Sequence, residues 1–314
     1  MRGILSDIDL WVNRILGLVG FWATPKIAPI FFLAPFMILF VMFKVYPAYS
    51  AARMSFQEVH NLRDAPEWVG LDNYERAEGN QRALGALEMT TRYTIGTLLV
   101  LVPLPLVLAA ILDSGRVVKP TVFRVLLFLP ALSTLIVTSV VFRMILAREG
   151  LLNGALSTFF GIGEVRWLET ADMALPSLIL IATWRWTGIN IIYFNSGLIN
   201  IPRELYEAAA IDGANPFQMF FRITLPMIKP IVFFVALLTI IGGYQVFVEP
   251  FLVYPGGSSP GDGGLSIALL IYQTAFTRFE LGYAAALGVI LAVIVLVVSL
   301  VQFRFFGGIR REAQ

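Results

Sequence analysis

Cysteine is absent from the 314-residue chain, and histidine occurs only once, as His60 in a polar stretch. Without cysteine the chain forms neither a disulfide framework nor a thiolate metal site. One histidine outside the apolar segments leaves no credible catalytic triad and few zinc or haem sites. We therefore expect no enzymatic activity, and no cofactor or metal bound by this chain itself.

Charge is also scarce. Charged residues make up 14% of the chain, hydrophobic residues 58%, and the mean hydropathy is +0.78. A soluble globular domain is typically about a quarter charged. In lipid, backbone polar groups must be satisfied internally, which leaves helices or closed barrels. Because the apolar runs are long and unbroken, the sequence predicts an all-α membrane protein.

Six segments are long enough to cross a bilayer, which requires about 20 mostly apolar residues. We predict transmembrane helices at residues 27–51, 91–112, 122–146, 174–198, 228–252 and 283–306. Residues 9–22 are shorter and more polar, with apolar positions at helical spacing, and they predict an interfacial helix. The predicted organisation is an amphipathic N-terminal segment (1–25), a permease domain (26–306) and a tail (307–314).

Lysine and arginine near the span ends predict the orientation. With the N-terminus inside, the cytoplasmic side receives the basic clusters before the first span, between spans two and three, between spans four and five, and after span six. The outer loops after spans three and five carry mainly acids. We therefore predict a multi-pass protein of the bacterial cytoplasmic (inner) membrane, with both termini inside.

Energy-coupling motifs are missing. None of the four lysines lies in the G-x-x-x-x-G-K-[ST] frame of an ATPase phosphate loop. A secondary transporter commonly uses intramembrane carboxylates as relays, and Glu249 is the only acid within a predicted span. We therefore expect partner-driven transport. A stand-alone secondary transporter or channel for a small polar solute is the alternative.

The loop at 201–230, between spans four and five, predicts two short helices. Pro202 suits a helix start, and Gly213 can adopt the left-handed conformation that ends a helix. Asn215 is a preferred N-cap residue, and Pro216 opens the second helix. The first helix carries small alanines, which allow another surface to approach closely.

This loop resembles the EAA signature of binding-protein-dependent ABC importer permeases. The matching residues are Glu207-Ala208-Ala209, Asp212-Gly213-Ala214 and Ile223-x-Leu225-Pro226. Val69-Gly70-Leu71-Asp72-Asn73-Tyr74 and Gly150-Leu151-Leu152-Asn153 are similar to the carbohydrate-type members, the maltose and glycerol-phosphate permease-like group. The resemblance extends from about residue 27 to residue 306. Glu249-Pro250 departs from the family pattern.

The resemblance implies a type I ABC importer permease fold. It also implies a heterodimeric permease, formed with a second homologous subunit, and two ATP-binding subunits that bind ATP and magnesium. An external substrate-binding protein would deliver a sugar or related polyol, and no nucleic acid is expected as a partner. The loop would be the coupling helix, with Glu207, Ala208, Ala209, Asp212, Gly213 and Ala214 contacting the ATPase.

Polar side chains in spans four and five are candidate substrate contacts, because buried polar groups in membranes usually face a cavity or another helix. Sugars are bound by amide and carboxylate hydrogen bonds together with aromatic faces. The candidates are Asn190, Tyr193, Asn195, Tyr244, Gln245 and Glu249. Helix–helix packing is an equally good explanation for each of them. Arg185 either packs helices or pairs with a phosphorylated substrate.

Overall fold

The computed structural model describes residues 28–59, 66–115 and 117–307. The predicted interfacial helix at 9–22, His60 and the tail beyond residue 307 lie outside the described residues. The chain divides into two compact units, Met1–Met54 and Ser55–Gln314. The described part of the first unit is helical: α1 (Ala28–Phe40), a π-helical turn (Val41–Val45) and α2 (Tyr46–Met54).

The second unit begins with a short antiparallel strand pair, β1 (Gln57–Glu58) and β2 (Glu67–Trp68). Helices follow in the order α3 (Asp72–Gly79), α4 (Gln81–Leu101), α5 (Pro103–Asp113), α6 (Pro120–Leu132), α7 (Leu135–Ile145), α8 (Leu151–Phe160), α9 (Ala171–Leu198), α10 (Arg203–Ile211), α11 (Pro216–Met219), α12 (Leu225–Met227), α13 (Lys229–Tyr244), α14 (Val248–Val253), α15 (Ile267–Tyr272) and α16 (Leu281–Gly307). π-Helical turns occupy Phe220–Thr224 and Gln273–Thr277, and 3-10 turns occupy Pro255–Gly257 and Pro260–Asp262.

Four continuous helical stretches among the described residues are long and apolar enough to span a membrane: Phe32–Met54, Gln81–Asp113, Ala171–Leu198 and Leu281–Arg304. Two bent pairs raise the number to six if each pair is one span. The prediction of a mostly helical, multi-spanning protein is therefore confirmed. Two of the six predicted spans are not single straight helices.

The third predicted span, residues 122–146, is not one straight helix. It consists of α6 and α7, which are bent by 99° relative to each other. Pro130 lacks the N–H needed to continue the hydrogen-bond ladder, and Ser133 is extended. Thr134 then caps α7 by accepting a hydrogen bond from the Val137 N–H at 3.3 Å.

The fifth predicted span, residues 228–252, is also interrupted. Its main helix, α13, ends at Tyr244, and the chain resumes a helix only at Val248. Phe247 between them has non-helical dihedral angles, φ −137° and ψ −51°. Gly242 and Gly243 lie in the last turn of α13, where glycine lowers the cost of ending the helix. The break places Glu249 on the separate short helix α14 rather than within a continuous span.

Helix α9 is the central element of the second unit, and it packs against α4, α5 and α6. Its buried side chains include Leu178, Ile181, Ile191 and Phe194, which are exposed by at most 1%. At Gly188 the backbones of α9 and α6 come so close that a Cβ atom would lie 1.9 Å from the Leu127 carbonyl oxygen. Only glycine allows this crossing.

Candidate functional site

A cavity of about 330 Å³ lies between α4, α9 and α13, beside the break that follows α13. The start of α7 and the first residues of α14 complete its wall. The lining is mostly apolar with a few polar groups, as is usual for small-molecule sites. Its polar and aromatic lining residues are Tyr93, Thr97, Trp186, Asn190, Tyr193, Thr239, Gln245, Phe247 and Glu249.

The break beside the cavity is held by neighbouring helices. A Cβ atom on Gly243 would lie 2.6 Å from the Thr94 hydroxyl oxygen, so glycine allows α13 to touch α4 closely. The Ser266 hydroxyl donates a 2.6 Å hydrogen bond to the carbonyl of Val246, inside the break. The same hydroxyl oxygen accepts from the Leu269 N–H and caps α15. The position of the break is therefore set by packing from two sides.

Four of the six predicted substrate contacts line this cavity: Asn190, Tyr193, Gln245 and Glu249. Tyr193 and Asn190 lie on one face of α9, as their spacing predicts. Gln245 is exposed and Glu249 is buried, with 7% of its surface accessible. Gln245 lies at the start of the break and Glu249 on α14, although their spacing predicted a shared face of one helix.

Asn190 also makes a hydrogen bond to a neighbouring helix. Its side-chain amide donates a 2.9 Å hydrogen bond to the carbonyl of Leu101 at the end of α4. In a continuous helix that carbonyl would accept from residue 105, but Pro105 has no N–H. Asn190 therefore satisfies a buried acceptor and ties α9 to the α4–α5 junction, in addition to lining the cavity.

Asn195 and Tyr244 do not line the cavity. Tyr244 is buried, and its hydroxyl lies 3.4 Å from the hydroxyl of Thr91 on α4. The side-chain oxygen of Asn195 is buried without a hydrogen-bond partner among the described residues. The structure thus places Tyr244 against α4, and it places neither side chain in the cavity wall.

Two lining residues on α4 were not predicted from the sequence. Tyr93 and Thr97 are both buried, and the Thr97 hydroxyl donates to the Tyr93 carbonyl at 2.9 Å. Their signal in the sequence is the group of hydroxyl side chains inside the apolar second span, which includes Thr90 and Thr94 at helical spacing. Such hydroxyls commonly bond back to their own helix, so the sequence does not indicate which of them faces a cavity.

Arg185 is not among the residues that line the cavity. Its guanidinium donates a 3.0 Å hydrogen bond to the carbonyl of Ser133, at the bend between α6 and α7. The same group lies 5.3 Å from the centre of the Trp186 ring and interacts electrostatically with Glu249. Arg185 is therefore a contact between helices in this structure.

The loop after α9 forms the second candidate surface. Helix α10 ends at Ile211, and Gly213 follows with φ +81°. Asn215 caps α11 through a capping box with Gln218. These features confirm the two predicted helices and their glycine corner.

The loop presents apolar side chains outward, with Ile211 exposed by 88% and Phe217 by 72%. Within the EAA-like segment, Glu207, Ala208, Asp212 and Gly213 are exposed, and Ala209 and Ala214 are half-buried. The Tyr206 hydroxyl makes a 2.8 Å hydrogen bond with the Thr224 hydroxyl, which joins α10 to the turn leading into α13. A partner bound to α10 would therefore be linked to α13.

Among residues 28–59, 66–115 and 117–307, no group of three or more histidine, aspartate or glutamate side chains is arranged to hold a metal ion. An exposed helical loop at one end of α13 and a cavity with a few polar side chains at its other end are parts expected of a membrane transport subunit. Residues 101–311 match the family described as binding-protein-dependent transport system inner membrane component, and the chain belongs to this family.

Several relatives are similar over nearly their whole length. The arabinooligosaccharides transport system permease protein AraP of Bacillus subtilis (strain 168) is 41% identical, with 91% of both chains covered. The lactose transport system permease protein LacF of Rhizobium radiobacter is 31% identical, with 87% of this chain and 91% of that protein covered. A solved bacterial ABC transporter involved in the import of the acidic polysaccharide alginate shares the fold, with a TM-score of 0.78 at 23% identity and coverage of 96% and 99%.

Proposed function

We propose that this chain is the permease subunit of an ATP-driven importer for a sugar or a related polyol. The observation that carries the proposal is the continuity from the exposed α10 loop, through α13, to the break that borders the cavity. The names of AraP and LacF, which are transport permeases for arabinooligosaccharides and lactose, support the substrate class. The membership in a binding-protein-dependent family supports delivery by an external binding protein.

The proposed complex contains a second, homologous permease subunit and two ATP-binding subunits, which bind ATP and magnesium and carry out hydrolysis. The chain lies in the bacterial inner membrane with both termini in the cytoplasm. This orientation rests on the distribution of basic residues and puts the α10 loop on the side where ATP is available.

Coupling would begin at α10. Its contact residues are Glu207, Ala208, Ala209, Asp212, Gly213 and Ala214. The alanines present little bulk, so a partner surface can come close to the helix, and the exposed Ile211 adds apolar area. Movement of α10 would pass to α13 through the Tyr206–Thr224 hydrogen bond and through packing of Phe220 against the buried cluster around Phe194.

Substrate binding would use the cavity. Asn190, Gln245 and Glu249 supply amide and carboxyl groups for sugar hydroxyls, and Trp186 and Tyr193 supply aromatic surface. We leave Asn195 and Tyr244 out of the proposed contact set, because neither residue lines the cavity.

The test is a substitution at the glycine corner. Gly213→Pro is incompatible with φ +81°, because proline fixes φ near −65°. We expect the complex to assemble, sugar uptake in proteoliposomes to be lost, and ATP hydrolysis to become independent of the loaded binding protein. Gly161→Pro is the matched control, because Gly161 ends α8 in the same left-handed conformation but outside the loop.

Normal stimulation of ATP hydrolysis by the loaded binding protein in Gly213→Pro would refute the coupling role. Uptake by the purified chain alone in liposomes, without ATP-binding subunits, would favour a stand-alone transporter or channel instead.

A further inference from the structure

We propose that the cavity selects uncharged saccharides over anionic ones, and that Glu249 is the residue that sets this preference. This inference rests on the proposed function, because it specifies the substrate class of the same site. The proposed selectivity excludes two types of substrate. The first is phosphate esters, which the sequence left open, and the second is acidic polysaccharides, such as the alginate imported by a structural relative.

The first observation is the position of Glu249. It is the second residue of the short helix α14, directly beyond the break that follows α13, and it lines the cavity with only 7% of its surface accessible. When this carboxyl group is ionised, little water surrounds its charge, so the charge acts strongly on whatever occupies the cavity.

The second observation is the character of the other lining residues. Among the described residues that line the cavity, no lysine or arginine is present, and the polar side chains are amides and hydroxyls such as Gln245, Thr239 and Tyr193. An anionic substrate would therefore meet a carboxylate without a cationic side chain in the wall to pair with. A neutral sugar hydroxyl, in contrast, can donate a charge-assisted hydrogen bond to that carboxylate.

The third observation concerns Arg185, the cation that interacts with Glu249. Arg185 is not part of the cavity wall, and its guanidinium donates to the Ser133 carbonyl at the helix bend and lies near the Trp186 ring. It interacts electrostatically with Glu249, but it is not among the residues that line the cavity.

The fold does not decide this preference. The alginate transporter shares the fold at a TM-score of 0.78 but only 23% of its residues, so the charge of the cavity depends on individual side chains. In this chain the charge that faces the ligand is Glu249.

The absence of cysteine from the chain allows a direct measurement of the cavity's charge. Leu238→Cys places the chain's only thiol in the wall of the cavity. The purified complex in detergent, at mildly alkaline pH, is treated with a cationic methanethiosulfonate reagent (trimethylammonium) or an anionic one (sulfonate). Intact mass of this chain gives the two rates of modification, each divided by the rate for a free thiol.

We expect the cationic reagent to be preferred at residue 238, and Glu249→Gln to lower the ratio of cationic to anionic rates by about tenfold, the scale of a nearby charge in a partly shielded site. Glutamine has nearly the same shape, so packing is retained. Phe160→Cys on α8, which is 73% exposed, is the control position, and its ratio should not respond to Glu249→Gln. An unchanged ratio at residue 238 would overturn the proposal.

Protection of the same thiol reports the substrate class. Millimolar arabinotriose should slow modification of Leu238→Cys, whereas a uronate trisaccharide and glycerol 3-phosphate should not, and Glu249→Gln should allow the uronate to protect. Equal or stronger protection by an anionic probe with Glu249 in place would refute the proposed selectivity. Neither measurement uses ATP or the binding protein, so failure here is distinct from failure of the importer assignment.

Discussion

Replacing Asn190 with alanine separates the two roles that the structure gives this residue. The substitution removes the amide that donates to the Leu101 carbonyl at 2.9 Å, and it also removes a polar group from the cavity. Pro105 has no N–H to take over the bond, so the carbonyl would lose its partner within a buried helix junction.

The size of the effect follows from that loss. A buried polar group left without its hydrogen bond costs about 1–3 kcal/mol. We therefore expect Asn190→Ala to lower the free energy of unfolding by this amount, measured by equilibrium denaturation of the purified chain in detergent. Leu101 is 4% exposed, so water has little access to its carbonyl in the folded state.

Pro105→Ala supplies the control, because alanine at residue 105 restores an N–H that can bond to Leu101 in the ordinary helical pattern. In that background Asn190→Ala should cost roughly 1 kcal/mol or less, and the double-mutant cycle should show coupling between the two positions. Transport by the repaired double variant then reports the cavity role alone, and a persistent loss of uptake would assign Asn190 to substrate binding.

Equal destabilisation by Asn190→Ala in both backgrounds would refute the reasoning. It would mean that the amide does not compensate for the missing N–H of Pro105.

Two further substitutions test the packing of the second unit. Gly188→Ala should lower the midpoint of thermal unfolding, because overpacking against the Leu127 carbonyl costs about 1–3 kcal/mol. Gly242→Ala is the control and should change stability little, because there is open space around Gly242. Similar midpoints for the two variants would contradict the close crossing of α9 and α6. Asn153→Asp should destabilise the segment after α7, because the amide donates to two backbone carbonyls and its oxygen accepts from Trp167 at 3.0 Å. Unchanged Trp167 fluorescence and unchanged protease resistance in Asn153→Asp would refute that role.

The helical architecture was predictable because long apolar runs have few solutions in lipid. The loop helices were predictable because their end signals are local: Gly213 and the Asn215–Gln218 capping box require no tertiary contact. The bend between α6 and α7 had a local signal as well, in Pro130 followed by Ser133 and Thr134. Hydropathy alone does not reveal this bend, because the helices on both sides of it are apolar.

The site was predictable only in part. The residue types on α9 and around the break pointed to Asn190, Tyr193, Gln245 and Glu249, because polar groups in an apolar span need a reason to be there. Which face of a helix meets the cavity depends on rotation and on the end of α13, and these are set by contacts such as Gly243 with Thr94. Tyr244 therefore lies against α4 although its neighbour Gln245 faces the cavity.

The uninterrupted length of α13 has a geometrical consequence. Its 16 residues form a rod of about 24 Å at about 1.5 Å per residue. If this rod rotated by about 10° around its Lys229 end, its Tyr244 end would move by about 4 Å, because the displacement is the length of the rod multiplied by the angle. That distance is close to the width of one sugar ring, so a small tilt of a single stiff helix is enough to change what the cavity can hold.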